Sequence, residues 1–435
     1  MYKHNYIRKQ VFAALIGSIF ITTTLVLISD ANGKYQSVNG ISAAFSWDSY
    51  DPDINGDGTK IVFESDSDFL GECILDNQFE IWLYDTVSMT YTRVTTPFNH
   101  SVIKQNAHIS ADGTKVIYRN QPNPTVWFKV SDIILVDTTL MTSTRIGTTT
   151  AVFNPGDYLT ISADGTKIAF KYDTDLPPNN MEIWLYDTVT MTYTHKITNS
   201  GNEWSSNPSL NADGTIIAFN SNSDFLGQGN SHREVWLYDT NAATYTRITT
   251  ASNVDRTSSS PSINADGTKI AFVSDSDILG QGVVEGQNEI WLYDTVAMTY
   301  TRITTASGTD RDSQNPDISS DGTKITFQSD SDFFGQGVVE GKNEVWLYDT
   351  AIMKLTRVTT ATANSTSGVS IVPRISGDGT KIVFASDSDF LNEGIVNGSF
   401  EVWVYDIIQK DLSRITTALG NPCTAYLPLV VKNGL

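Results

Sequence analysis

Three features of the sequence predict an all-β chain. The dipeptide Asp-Gly recurs seven times, at Asp57-Gly58, Asp112-Gly113, Asp164-Gly165, Asp213-Gly214, Asp266-Gly267, Asp321-Gly322 and Asp378-Gly379, at intervals of roughly 50 to 57 residues. Three residues before each Asp stands an apolar side chain (Ile54, Ile109, Ile161, Leu210, Ile263, Ile318, Ile375), and six after it an aromatic one (Phe63, Tyr118, Phe170, Phe219, Phe272, Phe327, Phe384). Between the turn signals, β-branched and aromatic residues alternate with a period of two, as half-buried strands do. A repeat of this length holding four short strands is a propeller blade rather than a solenoid coil. The predicted fold is therefore a seven-bladed β-propeller of four-stranded antiparallel blades.

The unit is clearest in Pro261 to Thr305. Strands are expected near Pro261 to Asn264, Lys269 to Val273, Glu289 to Tyr293 and Tyr300 to Thr304, with Ile270 and Phe272 on one face and Ile290 and Leu292 on one face. Asp266-Gly267 joins the first two strands, because glycine takes the positive φ of a tight hairpin without steric cost. The unit resembles the TolB-type, WD40-like β-propeller repeat, whose pattern is P-x-hydrophobic-S-P-D-G-K-x-I-A-F. Pro52, Pro208, Pro261, Pro316 and Pro373 match its leading proline, and Ser162-Ala163-Asp164-Gly165 and its relatives match the turn. The resemblance spans about 370 residues and implies the propeller fold and a role in an envelope complex. It is confined to the repeats and does not extend to the N-terminal domain that TolB carries. One departure is systematic: the proline of S-P-D-G is replaced by Gly56, Ala111, Ala163, Ala212, Ala265, Ser320 or Gly377.

In chain order, residues 1–31 look like an export signal. Lys3, Arg8 and Lys9 precede an apolar run from Val11 to Ile28, and Ser29 and Ala31 suit a cleavage site. The run is also long enough to stay as a single N-terminal signal-anchor helix, the one route by which the chain is expected to meet a membrane. Residues 32–45 form a lead-in, the propeller occupies residues 46–417, and residues 418–435 make a C-terminal tail. Blade 2 is the most diverged copy and carries Pro122 and Pro124, whereas blades 5 and 6 are nearly identical, as recent duplicates of a structural unit would be. Trp82, Trp184, Trp236, Trp291, Trp346 and Trp403 recur at one place in each regular blade and are expected to fill the space between blades. The Asp that follows each Trp-x-Tyr is expected to accept hydrogen bonds in the turn to the last strand.

The formal charge of −20 becomes −22 once residues 1–31 are set aside, so nucleic acid is not an expected partner. His4, His100, His108, His195 and His232 show no metal-ligand spacing, and neither a G-x-S-x-G elbow nor an H-E-x-x-H helix occurs. With about 18 residues after the last repeat, no α/β-hydrolase domain is expected either.

Two loop sets carry the candidate site residues. Acidic Asp-Ser-Asp turns follow the second strands; there Asp275 and Asp277 with Glu289, and Asp330 and Asp332 with Glu344, offer hard oxygen ligands. Calcium is the one cofactor the sequence leaves open, the alternative being solvated turns. The connections from blade to blade gather on a rim of the central channel, where ligands usually bind. Trp47, Tyr50, Trp204, Arg256, Asp310 and Arg311 lie in them and suit a protein, peptide or glycan of the extracytoplasmic space, by stacking and charge-assisted hydrogen bonds. The alternative is that these aromatics lid the blade cores. The functional expectation is an exported, non-enzymatic binding propeller, set against a secreted polysaccharide hydrolase or lyase using acids such as Asp310 and Asp312, or a TolB-like envelope component. Cys73 and Cys423 are expected on one rim of adjacent blades 1 and 7, where a disulfide would close the ring; the alternative is two unpaired thiols.

Overall fold

Seven antiparallel sheets, each of four strands taken in sequence order, follow one another along the chain. The computed structural model describes residues 48–417 apart from 72–77, 96–101, 123–128, 152–158, 174–180, 198–202, 229–231, 251–255, 307–310, 362–367, 394, 396 and 397. The first strand of each blade is the innermost: Ser49–Ile54, Val102–Ile109, Leu159–Ile161, Ser205–Leu210, Ser258–Ile263, Ser313–Ile318 and Ser370–Ile375 line the central channel. The proposed export signal, Cys73 and Cys423 lie outside the described residues.

The blades stick together through the residues the repeat keeps apolar. Trp82, Trp236, Trp291, Trp346 and Trp403 are fully buried, as are Phe63, Phe219, Phe272, Phe327 and Phe384. Trp291 packs with Ile270 and Phe272 of its own blade and with Ala218, Val235 and Ile248 of the blade before. The Trp stripe thus fills the blade interfaces rather than facing solvent. The Asp after each Tyr also behaves as expected: Asp294 Oδ1 accepts the N–H groups of Val296 (3.0 Å) and Ala297 (2.8 Å), and the other regular blades repeat this turn.

Ring closure uses contacts that recur at other seams. Ser49 N–H donates to Phe400 O (2.8 Å), Tyr91 Oη–H donates to Ile415 O, and Ile54, Ile61, Phe63 and Trp82 of blade 1 share a core with Val383, Val402 and Ile415 of blade 7. Blade 7 supplies all four of its own strands.

Two strand ends differ from the sequence expectation. The inner strand of blade 5 starts at Ser258, three residues ahead of Pro261, and its outer strand stops at Arg302. Proline has no N–H for the ladder and so suggests a strand start. Here a β-bulge between Ser259 and Ser262 absorbs it, and Ser258 and Ser259 still pair with Ser274 and Val273. Blade 2, the diverged copy, has the longest strands, of 8 to 10 residues.

Candidate functional site

The floor of the channel is set by the seven Asp-Gly turns. In blade 5, Asn264 Oδ1 accepts the Lys269 N–H (2.8 Å), Asp266 Oδ1 accepts the Thr268 N–H (2.9 Å), and Gly267 takes φ +76°. This leaves the N–H of the residue before Asp pointing at the next blade. Gly56 donates to Ala111 O (2.9 Å), Ala111 to Ala163 O, Ala163 to Ala212 O, Ala212 to Ala265 O, Ala265 to Ser320 O (3.0 Å) and Ser320 to Gly377 O, and Asp378 N–H closes the circle on Gly56 O (2.8 Å). Only small residues fit: a Cβ on Gly56 would lie 2.9 Å from Ala111 Cβ, and one on Gly377 2.7 Å from Ser320 Oγ. The belt also explains the missing proline of the S-P-D-G pattern, since in six of the seven turns that position donates an N–H, and at Gly377 there is no room for a side chain. Ala265→Pro is expected to cost about 1–3 kcal/mol by orphaning the Ser320 carbonyl, whereas Ala265→Ser should unfold in urea like the parent. Equal midpoints for both variants would contradict the belt's role.

Above the floor, six of the seven inner strands bulge at a residue with positive φ: Asp51, Asn106, Asn207, Ser260, Asn315 and Val372, with φ between 44° and 57°. Asn and Asp tolerate this conformation, but it is strained for the β-branched Val372. Gln328 Oε1 holds that strained residue by accepting its N–H (2.9 Å). The bulge turns the next-but-one residue toward the neighbouring blade, and the six residues so placed, together with Thr160 of blade 3, form a girdle: Asp53, His108, Thr160, Ser209, Ser262, Asp317 and Arg374. Four of them, Asp53, Ser209, Ser262 and Asp317, accept the N–H of the following blade's terminal apolar residue. Ile109 N–H donates to Asp53 Oδ2 (3.0 Å), Ile263 N–H to Ser209 Oγ (3.2 Å), Ile318 N–H to Ser262 Oγ (3.3 Å) and Ile375 N–H to Asp317 Oδ2 (2.8 Å). The channel space the girdle surrounds measures about 490 Å³, and among the described residues no Phe, Tyr or Trp lines it.

The charged members occupy four consecutive blades. His108 Nδ1 lies 3.3 Å from Asp53 Oδ2, with both side chains less than one-fifth exposed. Arg374 of blade 7 acts electrostatically on Asp53 of blade 1 and Asp317 of blade 6. Burial pushes both carboxyls up. For Asp53 the hydrogen bond and charge of His108, with Arg374 and the Ile109 N–H, outweigh burial and hold it below its ordinary value. For Asp317 burial outweighs the pull of Arg374 and it sits above its ordinary value. Ionised Asp53 thus contributes stability that is present above the unfolded value and lost as pH falls through its folded one. Ionised Asp317 has the opposite sign: it costs stability at neutral pH, and the cost disappears as pH falls below its folded value.

Hydrogen-bond inventory sharpens the contrast. Both Asp53 oxygens accept backbone N–H groups, from Ile54 (3.0 Å) and Ile109, so an amide nitrogen at that site would face a donor. Asp317 accepts one N–H and the hydroxyl of Ser262 (3.1 Å), which can reverse to receive an amide. In urea at pH 7, Asp53→Asn is expected to lose about 1–3 kcal/mol and Asp317→Asn to stay within about 0.5 kcal/mol of the parent or gain. Equal losses would contradict the assigned roles.

The rim residues singled out from the sequence are largely turned to structural tasks. Tyr50 lies between Phe79 (ring centroids 6.0 Å apart) and Phe400 (5.1 Å), over the seam of blades 1 and 7. Trp204 carries the Arg233 guanidinium 4.7 Å above its ring and pairs with Met181 of blade 3. Arg256 donates to the carbonyls of Asp275 and Val283 (3.1 Å), and Arg311 to those of Asp330 and Val338 (3.2 Å), so each clamps the loop after the second strand. Asp312 Oδ1 accepts the Asn288 N–H (2.8 Å). Trp47 and Asp310 lie outside the described residues.

The six oxygen-ligand candidates are held by the chain's own donors. Asp275 accepts the N–H groups of Thr257 and Gly286, Asp330 those of Asp312 and Gly341, Asp277 those of Gln281 and Gly282, and Asp332 those of Gln336 and Gly337. Glu289 and Glu344 are buried, each receiving a Thr hydroxyl, a backbone N–H and an arginine, Arg302 (2.9 Å) or Arg357 (2.8 Å). Among the described residues, no three His, Cys, Asp or Glu side chains are grouped as a metal ion would need.

The sequence reading missed Asp53, His108, Asp317 and Arg374. A signal was present, because the triplets Pro-Ser-Ile, Pro-Asp-Ile and Pro-Arg-Ile differ only at the girdle position in otherwise matching blades.

No protein-family model matches the chain, and no curated protein matches it. Among solved structures, the β-propeller domain of the Trilobed protease from Pyrococcus furiosus, described as having an open velcro topology, is similar at a TM-score of 0.59 and 13% identity, over 86% of this chain and 99% of that one. Oligogalacturonate lyase from Vibrio parahaemolyticus is similar at a TM-score of 0.53 and 14% identity, over 82% and 89%. TolB from Acinetobacter baumannii aligns over 78% of this chain and 76% of its own at a TM-score of 0.44 and 18% identity, and nothing about this chain follows from a likeness of that size. At these identities the likenesses show the fold alone. The class they and the strand topology define is a seven-bladed β-propeller whose ring closes without exchanging strands between its ends.

Proposed function

We propose that this chain is an exported, non-enzymatic propeller that binds an extracytoplasmic protein or peptide ligand, with the binding centre in the channel beneath the rim. The observation that carries this is the girdle: blades that repeat one another elsewhere differ at this position, which faces a channel cavity of about 490 Å³. A cavity of this size suits a small ligand or a short peptide segment. Among the described residues the lining holds no Phe, Tyr or Trp, which favours a peptide over a glycan, because sugar rings are gripped by stacking. Hydroxyl and carboxamide groups on Thr160, Asn207, Ser209, Ser260 and Ser262 suit peptide N–H and C=O groups. The test is selection of a randomised heptapeptide phage library on the purified protein, followed by Ser209→Trp, which fills the channel. Selected peptides should lose binding at least tenfold to a Ser209→Trp protein that melts like the parent. Unchanged binding would place the site elsewhere.

A second reading has one specific support. Asp53 and Asp317 are two channel carboxyls displaced in opposite directions, as acid and base pairs in glycosidic bond cleavage are. It predicts turnover on a panel of neutral and acidic polysaccharides that Asp317→Asn abolishes. No turnover on the panel leaves the binding function standing.

A further inference from the structure

We infer that the channel is built to receive a basic side chain, lysine or arginine, projecting from the peptide it binds. This rests on the peptide reading above and adds the chemistry of the group recognised. The charged lining comprises Asp51, Asp53, Asp317 and Arg374, with His108 beside Asp53, so the cavity is net negative, by two charges with a neutral imidazole and by one with a protonated one. These groups sit on blades 6, 7, 1 and 2, whereas the described lining residues of blades 3 to 5 are all neutral polar or apolar. The field is therefore one-sided, and low-dielectric walls focus it on an entering cation.

Arg374 does not turn the site into an anion receptor. It is bracketed by Asp53 and Asp317, and an incoming carboxylate or phosphate would meet both. Asp317 is the natural seat for the cation. Its two oxygens accept one hydrogen bond each, from Ser262 Oγ and Ile375 N–H, which leaves acceptor capacity on both. A buried carboxylate short of counter-charge gains most from a donor that is itself charged, and the elevated proton affinity of Asp317 has this same origin. With no Phe, Tyr or Trp among the described lining residues, a quaternary ammonium lacks the ring faces that usually hold it, which favours a hydrogen-bonding ammonium or guanidinium.

The experiment compares two immobilised libraries of randomised heptapeptides that differ only at the central residue, lysine or Nε-acetyl-lysine, at 150 mM salt. The full chain should be retained at least tenfold more by the lysine library. Asp317→Asn, whose girdle hydrogen bonds can all re-form, should melt like the parent and lose most of that preference. Equal retention by the two libraries would overturn the basic side chain while leaving the peptide reading in place. A lysine preference that Asp317→Asn leaves unchanged would assign it to the acidic surface and overturn the inference. Retention by neither library would overturn the peptide reading itself.

Discussion

Trp291→Ala is expected to destabilise the propeller by about 3–5 kcal/mol, the range for removing a fully buried aromatic side chain. The indole is fully buried and touches two blades at once, through Ala218, Val235 and Ile248 on one side and Ile270 and Phe272 on the other. Its Nε1–H donates to Ser274 O (3.3 Å), which satisfies the polar edge. Neighbouring blades are rigid sheets and close the void poorly, so the cavity cost persists. Trp184→Ala should cost less, because that indole is only partly buried and packs at the edge of its cluster. Urea denaturation of both variants checks the order. A Trp291→Ala protein as stable as the parent would mean that the repeated tryptophans are not the interblade filler.

Glu344→Ala is expected to cost about 3–5 kcal/mol, because removing one partner of a buried ion pair strands the other. Glu344 Oε1 accepts Arg357 Nη2–H (2.8 Å) and the Ala361 N–H (2.7 Å), and Oε2 accepts the Thr359 hydroxyl. Truncation leaves a guanidinium whose side chain is 10% exposed, an orphaned N–H and an unpaired hydroxyl. Glu344→Gln keeps an acceptor and should lose less. The same pair of variants separates a structural carboxylate from a calcium ligand: a loss of melting temperature that is the same with millimolar calcium and with chelator fits the ion pair. A parent protein whose melting temperature rises with calcium, and a Glu344→Ala protein whose does not, would restore the metal role.

The fold was legible because its determinants are local and repeated. Asp-Gly turns, period-two strands and a Trp-x-Tyr-Asp strand each declare themselves within a few residues, and seven in-phase copies leave one way to close a ring. Strand ends were less legible: Pro261 implied a start, yet the strand begins three residues earlier because a bulge at Ser260 absorbs the proline. The candidate site was legible only in part, for a physical reason. Arg256 and Arg311 look like ligand-gripping loop residues in sequence, yet they bond to carbonyls 19 and 27 positions away in the folded loop. Asp317 and Arg374 look like single departures from a repeat, and acquire meaning only when the ring places blades 6, 7 and 1 side by side. The missing proline of the S-P-D-G turn is similar. Its replacement by Gly, Ala or Ser was visible, but the N–H it preserves has its partner about 50 residues away, in the next blade.

The central claim is that the ligand sits in the channel, against the girdle. Photo-crosslinking tests it most directly, with p-benzoylphenylalanine introduced singly at Ser209 in the channel, at Tyr50 on the rim and at Val296 on an outer hairpin, where the side chain is 76% exposed. With a peptide selected on the parent protein, crosslinking is predicted at Ser209, either as a covalent adduct or as loss of binding because the new side chain fills the channel, and none is predicted at Val296. Adducts at Val296, together with undiminished binding to the Ser209 protein, would contradict it.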